Sequence, residues 1–365
     1  MRAQVQRGFG DDADVSITEV PIPEVGPGET LIEVRACGLN RLDLLQQEAA
    51  LVRGFSLPHI AGMDIAGVVV EVGHTSTDGA GGSDHGGGGD GARGTAPNVG
   101  DEVLVDAVST CGECAQCLAG NEPYCADVRT IGSTRDGGFA EYVVVPTASV
   151  YPLPTGMSFV EAACIPIAYI TAWHALVTAG RVRAGETVLV NAANSGVSVA
   201  IIQFALAAGA TVIGTAGGEA KIRRALELGC SHVADHYADD VSAKVMEWTQ
   251  GRGVDLVVDH VGPALFEASI ASLRVEGRMV FCGTTTGTHV EVDLPAVYHW
   301  GRTLIGSGGY RPAEFVEMLD AIAEQELHPI VDSTWAFDDI AAAQDTMANG
   351  SFFGKLVVTF GDESD

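Results

Sequence analysis

The sequence predicts an α/β chain in which a largely antiparallel β domain precedes a doubly wound parallel sheet. From about Thr155 onward, apolar runs rich in β-branched residues alternate with segments of helical length. This alternation is the pattern of parallel strands that are joined by crossover helices. Before that point, apolar runs bounded by glycine follow one another without such helices, which favours antiparallel pairing.

In the first part of the chain, two predicted strands flank a segment of low complexity. Ile65–Val72 and Val99–Val105 are apolar, β-branched and bounded by glycine. Residues 76–98 between them are rich in glycine, serine, threonine and aspartate, so they have nothing with which to form a core. We therefore predict that residues 76–98 are a flexible loop inserted between two strands.

The second part supplies the strands and helices of the parallel sheet. The predicted strands are Thr187–Asn191, Thr211–Thr215, His232–His236, Val254–His260, Arg278–Gly283 and Thr303–Ser307. The predicted helices between them are Val197–Ala208, Glu219–Leu228, Asp239–Thr249 and Pro263–Leu273. Near the end of the chain, Phe353–Val358 again has the composition of a strand.

Charge and hydropathy limit the possible functions. With 48 acidic and 20 basic residues the formal net charge is −28, which argues against nucleic-acid binding because such proteins need basic patches. The acidic excess either steers a cationic partner or is a solvated surface adapted to high salt, and we favour the second interpretation. No uncharged apolar stretch of about 18 residues and no apolar signal core occur, so we expect a cytoplasmic protein without a membrane span.

Four of the eight cysteines lie within fifteen residues, in the spacing Cys111-x2-Cys114-x2-Cys117-x7-Cys125. Four thiolates that leave no open position describe a closed structural zinc site. Chance clustering of core cysteines and an iron–sulfur cluster are the alternatives. In ferredoxins, however, the fourth ligand follows three residues later or comes from far away. The spacing therefore favours one structural zinc ion.

A candidate nucleotide-binding turn follows the strand Thr187–Asn191. Only Gly196 of the usual glycines is present, and Ala192 and Ser198 stand where glycine is usual. Taken alone, this segment is also compatible with an ordinary turn between a strand and a helix. The alternating strands and helices around it favour a dinucleotide site, in which the pyrophosphate lies at the helix N-terminus.

The end of the next strand bears on the choice of cofactor. NAD is usually bound through an acidic residue at this place. Here the strand ends in Thr215–Gly218, and no acid occurs before Glu219. Lys221, Arg223 and Arg224 follow and are candidates to meet a 2′-phosphate, although a solvated helix face is the alternative. We therefore predict NADP(H) rather than NAD.

Together these features resemble the medium-chain dehydrogenase/reductase superfamily, which includes the zinc-containing alcohol dehydrogenases. The resemblance covers nearly the whole chain and implies a nicotinamide-dependent oxidoreductase with a GroES-like, mostly β catalytic domain around a central Rossmann domain. It extends to Gly62-x-Asp64-x-x-Gly67-x-Val69, Gly100-Asp101-x-Val103, Gly137–Tyr142 and Gly354-Lys355. The implied domains are 1–154 (catalytic, with the zinc lobe at 111–125), 155–298 (Rossmann) and 299–365 (end of the Rossmann sheet and return to the catalytic domain).

Three positions depart from the alcohol dehydrogenases of that superfamily, which bind catalytic zinc there. Asn40 replaces a cysteine, Met63 replaces a histidine, and Ile167 stands at the third position. The segment Asn40–Asp43 resembles the corresponding segment of zinc-free quinone and enoyl reductases. The catalytic zinc is therefore predicted to be absent. An unusual metal site stays open as an alternative, and its candidate ligands are Cys37, His59, Asp64 and Cys164.

Loss of the metal narrows the chemistry. Zinc lowers the pKa of bound water from 15.7 to about 7, and without such an ion the hydroxyl proton of an alcohol is hard to remove. A conjugated carbonyl accepts a hydride directly and needs only donors that stabilise the enolate. We therefore predict an NADPH-dependent reductase of activated double bonds or quinones. The alternatives are an alcohol or polyol dehydrogenase with a nonstandard metal site and an NADP(H)-binding sensor with little catalysis.

The resemblance also implies roles for individual residues. Asn40 is expected to be a polar anchor near the nicotinamide or the substrate carbonyl. His260 is a candidate proton donor, or else a hydrogen-bonded histidine beside the nucleotide. A small-molecule substrate and a homodimer or homotetramer are expected. The predicted cofactor-binding residues are Thr171, Asn194, Ser195, Gly196, Val197, Thr215, Lys221, His260, Cys282, Gly283, Thr284, Ser307 and Lys355.

Overall fold

A seven-stranded sheet is the framework of the first unit of the chain. The structure is a computed structural model that describes residues 1–10, 13–51, 53–73 and 96–361. The strands of the sheet are β3 (Glu29–Gly38), β4 (Asp64–Val72), β5 (Glu102–Val105), β8 (Tyr142–Pro146), β9 (Val150–Pro152), β16 (Val331–Ala336) and β17 (Lys355–Thr359). Their order is β16-β17-β3-β4-β5-β9, and β8 pairs with β3 outside this path.

The pairs of this sheet are antiparallel except for β16 and β17, which run parallel. Two-stranded pairs form beside the sheet: β1 (Arg2–Gln6) with β2 (Val15–Glu19), and β6 (Val108–Ser109) with β7 (Arg129–Thr130). A core of buried side chains lies against the sheet and includes Ile32, Leu39, Met63, Ile65 and Phe139.

A six-stranded parallel sheet is the framework of the second unit. Its order is β12-β11-β10-β13-β14-β15. The chain order reverses at β10, and in sheets of this type ligands bind at the carboxyl ends of the strands beside that reversal. The strands are β10 (Thr187–Val190), β11 (Thr211–Ala216), β12 (His232–Asp235), β13 (Val254–Asp259), β14 (Leu273–Phe281) and β15 (Thr303–Gly306).

Eleven helices occur in the described residues. In the first unit they are α1 (Arg41–Glu48), α2 (Ala115–Leu118), α3 (Phe159–Ala162), α10 (Pro312–Glu324) and α11 (Ile340–Ala348). In the second unit they are α4 (Ala168–Trp173), α5 (Gly196–Ala207), α6 (Glu219–Glu227), α7 (Val241–Trp248), α8 (Pro263–Ser272) and α9 (Leu294–Tyr298). A π-helix, His174–Ala179, follows α4, and the 3₁₀ helices are Glu122–Tyr124, Thr147–Ser149 and Phe337–Asp339.

The first unit contains both ends of the described chain. It comprises Met1–Ile167 and Arg311–Asp365, and the second unit is the continuous segment Ala168–Tyr310. The second unit begins later than residue 155, the start implied by the sequence, because α3 packs against β3 and β4. It ends at Tyr310 and includes β15, in the segment after residue 298 that the sequence assigned to the end of the Rossmann sheet.

The predicted α/β fold class and the order of its elements are confirmed. The predicted strands and helices of the parallel sheet agree closely with the observed ones. The largest difference is β14, which begins at Leu273 rather than Arg278 because Leu273 pairs with Val254 before a shift in register. Residues 76–95 of the predicted loop lie outside the described residues. No described helix combines the length and hydropathy that crossing a membrane requires.

Candidate functional site

The four clustered cysteines form a metal-binding group in the first unit. The sulfur atoms of Cys111, Cys114, Cys117 and Cys125 all lie within 4.8 Å of one another. Their separations include 3.4 Å between Cys111 and Cys125 and 4.0 Å between Cys114 and Cys125. A tetrahedral zinc ion with bonds of about 2.3 Å requires sulfur atoms about 3.8 Å apart, so the group fits a zinc ion that has no open position.

Backbone amides complete this group. The amides of Cys111 and Asp127 donate to the sulfur of Cys125 over 3.3 Å and 3.4 Å, and the amide of Cys114 donates to the sulfur of Cys111 over 3.3 Å. Such donors offset part of the negative charge of sulfur atoms that bind a metal ion. The four cysteines therefore fit a structural zinc ion, which would hold the lobe formed by residues 111–125.

Asn40 lies at the start of α1, just after the end of β3. Its backbone amide donates to Asp43 Oδ2 over 2.7 Å, and this bond closes the first turn of the helix. The Asn40 side chain is partly exposed, and its Nδ2 donates to Asp64 Oδ2 over 3.0 Å. Burial raises the pKa of Asp43 to about 7.

A buried ion pair lies beside Asn40. The Lys355 ammonium donates to Asp64 Oδ2 over 2.6 Å, to the Leu39 carbonyl over 2.6 Å and to Asn40 Oδ1 over 3.0 Å. The other oxygen of Asp64 accepts from the amide of Ile167 over 2.7 Å. All three donors of Lys355 are therefore occupied inside the first unit. Its predicted contact with the cofactor stays a prediction.

The residues at the expected catalytic-zinc positions do not fit a zinc ion. Met63 is buried in the apolar core of the first unit, and the Ile167 side chain packs against the same core. Asn40 supplies a neutral amide, and Asp64 is already neutralised by the ammonium of Lys355. Zinc in proteins is bound by thiolate, imidazole and carboxylate groups.

The alternative metal site is not formed in the described part of the chain. There, the cysteines at 111–125 are the only group of three or more potential ligands close enough to share an ion. His59 instead lies 3.6 Å from the carboxylate of Asp136, and the Cys164 sulfur faces the Val160 carbonyl. Burial raises the pKa of the Cys37 thiol, which is the inert form of the group.

In the second unit, the start of α5 collects several predicted cofactor residues. Ser195 caps the helix, because its Oγ accepts from the Ser198 amide over 3.0 Å. The first amides of a helix have no partner within it, so those of Gly196 and Val197 suit an anion such as pyrophosphate. His260 Nε2 lies 2.9 Å from Ser195 Oγ, which brings His260 to the same place.

The tautomer of His260 follows from its neighbours. Ser198 Oγ donates to the Asn191 carbonyl over 2.7 Å and lies 2.8 Å from His260 Nε2, so Nε2 carries the proton and donates to the hydroxyl. Burial lowers the pKa of His260, which favours this neutral form. Ser195 Oγ already accepts from an amide and faces the same N–H, so its own hydrogen can be donated to a ligand phosphate.

A buried polar network at the carboxyl ends of β10 and β13 was not predicted from the sequence. The Asn191 amide donates to Asp259 Oδ1 and to Ser269 Oγ, both over 2.8 Å. Asp259 Oδ2 accepts from the Gly262 amide over 3.0 Å, which ties the loop after β13 to the end of β10. Asn191 and Asp259 each stand at the end of a predicted apolar strand, and parallel strands bring such ends together. That position is the signal that could have revealed them.

The remaining predicted residues lie at several places in the second unit. Cys282 and Gly283 follow β14, and burial raises the pKa of the Cys282 thiol to about 12. Thr284 follows Gly283 in the chain. The hydroxyl of the next residue, Thr285, donates to the His260 carbonyl over 3.0 Å. The Ser307 amide donates to the Phe281 carbonyl. Thr171 lies on α4, which packs against α5, and Thr215 Oγ1 accepts from the Ala192 amide over 3.0 Å.

Ala192 occupies a backbone conformation that favours glycine. Its φ is 49°, in the left-handed region, where a Cβ atom costs about 1–2 kcal/mol. We expect Ala192→Gly to raise the free energy of unfolding by about 0.5–1 kcal/mol, measured as a higher Tm. Ala208→Gly is the control, because Ala208 has a φ of −73° and the change there should lower the Tm. A lower Tm for Ala192→Gly would contradict the argument.

Beyond the end of β11, two basic side chains lie where the adenosine end of a dinucleotide is expected. Burial lowers the pKa of Lys221 on α6 and the pKa of His236, which follows β12. The carboxylate of Asp235 is engaged by backbone, because it accepts from the amides of Gly218 and Tyr237 over 3.3 Å and 3.0 Å. No carboxylate is carried by the residues from Thr215 to Gly218 that end the strand.

Comparison with known families and proteins agrees with both units. Residues 26–155 match the family described as alcohol dehydrogenase GroES-like domain, and residues 196–324 match zinc-binding dehydrogenase. Human quinone oxidoreductase is 28% identical over 346 residues, which cover 93% of this chain and 91% of that protein. The acryloyl-coenzyme A reductase of Metallosphaera sedula is 28% identical over 362 residues, which cover 98% and 100%.

A solved structure described as an NAD-dependent alcohol dehydrogenase is also similar. It is 35% identical with a TM-score of 0.87, and the match covers 99% of this chain and 100% of that one. The similarity therefore extends along nearly the whole chain, both to reductases and to an alcohol dehydrogenase.

Proposed function

Because the chain belongs to the medium-chain dehydrogenase/reductase superfamily, and is thus a nicotinamide-dependent oxidoreductase, we propose that it reduces activated double bonds or quinones with NADPH and without catalytic metal. The observation that carries this proposal is the cluster of Asn40, Asp64 and Lys355. In this cluster the amide of Asn40, at a position where the resemblance implies a zinc ligand in the alcohol dehydrogenases, is bonded to a buried ion pair and keeps an N–H donor. Such a cluster can stabilise a negative oxygen, but it offers no metal-bound water or alkoxide.

Each partner has a limited task in this reaction. When bound, NADPH would supply a hydride, which for an enone or enoyl thioester would be accepted at the β-carbon of the substrate. The electron pair of the double bond then shifts, and negative charge develops on the carbonyl oxygen. The Asn40 N–H donates to that oxygen. A proton from water completes the product at the α-carbon. We assign His260 to cofactor binding rather than to this proton transfer, because Nε2 faces Ser195 and Ser198.

NADPH rather than NADH is supported by Lys221 and by the absence of an acid at the end of β11. We expect Lys221→Glu to raise KM for NADPH by about 10–100-fold, because a carboxylate replaces a charge-assisted partner of the 2′-phosphate. The KM for NADH should change much less. Initial rates at varied cofactor concentration measure both constants. The control is Lys244→Glu, at an exposed lysine on α7. Equal effects on both cofactors would contradict the assignment.

A second candidate function is supported by the similarity to the NAD-dependent alcohol dehydrogenase. That function would require a catalytic metal site formed by residues other than those at the expected zinc positions, or a base that removes the hydroxyl proton directly. It also predicts zinc near two ions per chain, whereas the reductase proposal predicts one.

The deciding experiment follows NADPH and NADH absorbance in high potassium chloride, with quinones, enones and short enoyl-coenzyme A thioesters as substrates. Simple alcohols with NADP⁺ and NAD⁺ are assayed in the reverse direction. Turnover of an activated alkene or quinone, without alcohol oxidation, supports the proposal. Alcohol oxidation that a chelator abolishes would overturn it and establish the second candidate.

We also propose that two or four copies of the chain assemble, with β15 at the contact. This strand is an edge of the parallel sheet, and Leu294, Tyr298 and Trp300 close by in sequence are exposed. Light scattering coupled to size exclusion in high salt should give a mass of two or four times 37.8 kDa. Trp300→Asp should shift the mass towards one copy. A wild-type mass of one copy would overturn the proposal.

A further inference from the structure

The amide of Asn40 can adopt two orientations, which exchange its oxygen and its nitrogen. Only one orientation places an N–H towards an acceptor at a given point. Asn40 Oδ1 accepts from Lys355 over 3.0 Å, and Asn40 Nδ2 donates to Asp64 over 3.0 Å. An ammonium group only donates and a carboxylate only accepts. Rotation of the amide would replace both attractive contacts with donor–donor and acceptor–acceptor contacts.

Lys355 and Asp64 are themselves held in place. The side chain of Lys355 is 5% exposed and that of Asp64 is 0% exposed. Lys355 also donates to the Leu39 carbonyl, and Asp64 also accepts from the Ile167 amide. Neither charged group can turn away without leaving a buried partner unpaired, which is strongly unfavourable.

Glycine at position 38 provides the space for this arrangement. A Cβ atom on Gly38 would lie 3.1 Å from Lys355 Cε and 3.2 Å from Asp64 Cβ, and it would clash with the Ala163 carbonyl oxygen. Glycine at the end of β3 therefore lets the Ala163 carbonyl approach closely and leaves room for the side chains of Lys355 and Asp64 beside it. The cluster is a built feature of the first unit.

The fixed orientation leaves one donor of Asn40 unused. Nδ2 carries two hydrogens, and among the described residues only Asp64 accepts from it. Asn40 is partly exposed, so the second hydrogen is available to a carbonyl oxygen. In the reverse orientation Asn40 would present its own oxygen, which repels such a carbonyl.

We propose that the buried pair of Lys355 and Asp64 sets the orientation of the Asn40 amide, and that Lys355 is thereby a positioning residue for the reduction of a conjugated carbonyl compound or quinone. This inference rests on the proposed function. It adds the two residues that determine whether the nitrogen or the oxygen of the Asn40 amide faces the substrate. Lys355 acts through Asn40 and does not touch the substrate.

The principal test compares Lys355→Met in the wild-type and Asn40→Ala backgrounds. In the wild-type background we expect kcat to fall by about 30-fold while KM for NADPH stays within about twofold, because hydrogen bonds to charged groups are lost. In the Asn40→Ala background the same change should lower kcat by less than about threefold. Lys244→Met is the matched control and should leave kcat unchanged. Equal losses of kcat in the two backgrounds would overturn the proposal.

Two further measurements guard against other outcomes. If Lys355→Met does not fold because Asp64 loses its partner, Asp64→Asn combined with Lys355→Met removes both charges and should show the same loss of kcat.

The side-chain amide signals of Asn40 in ¹⁵N spectra, assigned through their loss in Asn40→Asp, need no substrate. They should shift in the double variant, and unchanged signals would overturn the inference. Absence of reductase turnover in the wild type would instead overturn the proposed function alone.

Discussion

Alanine at position 40 is expected to lower kcat for an activated alkene or quinone by about 10²–10³-fold. In the proposed reaction the Asn40 N–H donates to the oxygen on which negative charge develops, and alanine offers no donor there. The lost interaction strengthens as the charge develops, so the effect should fall on kcat rather than on KM for NADPH. Steady-state rates at saturating NADPH measure it.

The folded state must survive this change for the comparison to be meaningful. Asn40→Ala keeps the backbone bond from residue 40 to Asp43, so α1 should still begin at the same place. Asn349→Ala is the matched control, because Asn349 is exposed at the end of α11. Cooperative unfolding of both variants above the assay temperature, with a loss of kcat only for Asn40→Ala, gives the expected result; the Tm of Asn40→Ala should be somewhat lower because its side-chain bonds to Asp64 and Lys355 are lost. A kcat for Asn40→Ala within about threefold of the wild type would contradict the proposed role.

Removal of the structural zinc ion is expected to cause the largest loss of stability. Zinc binding in small metal-folded peptides is worth about 10–16 kcal/mol, and the lobe around Cys111–Cys125 has little core of its own. Cys111→Ser should therefore lower the Tm by about 10 °C or more and expose the lobe to proteolysis. Metal analysis, calorimetry and limited proteolysis measure these effects.

The control for zinc removal is a cysteine outside the cluster. Cys230 is buried in the second unit and is not a member of the four-cysteine group. Cys230→Ala should lower the Tm slightly through lost packing, while zinc stays at one ion per chain. The prediction fails if Cys111→Ser retains a full equivalent of zinc or the wild-type Tm.

Much of the fold could be predicted because its signals are local in the sequence. Val254–Asp259 is rich in apolar, β-branched residues and becomes a fully buried central strand of the parallel sheet. The spacing of the four cysteines brings their sulfur atoms together within one short lobe. In both cases the residues that carry the pattern are also the residues that make contact.

The polar clusters could be predicted only in part because their members lie far apart in the sequence. The Asn40 position was identified by its resemblance to known reductases, but neither spacing nor periodicity pairs it with Lys355. Lys355 reaches Asp64 only because β17 pairs with β3, which in turn pairs with β4. Likewise, Asn191 meets Asp259 because β10 and β13 are neighbours in the sheet, although β11 and β12 lie between them in the chain.

The pairing of β17 with β3 has a consequence for synthesis on the ribosome. Gly38 pairs with Val357, so a central strand of the first sheet waits for a neighbour that is translated after the whole second unit. The continuous segment Ala168–Tyr310 can fold as it emerges, whereas the end of β3 at Ala36–Gly38 lacks its β17 neighbour until that strand follows. During that interval the nascent chain exposes this apolar strand end and is the form most in need of a chaperone. Lys355 arrives with β17, so the Asn40 amide acquires its orientation among the last events of folding.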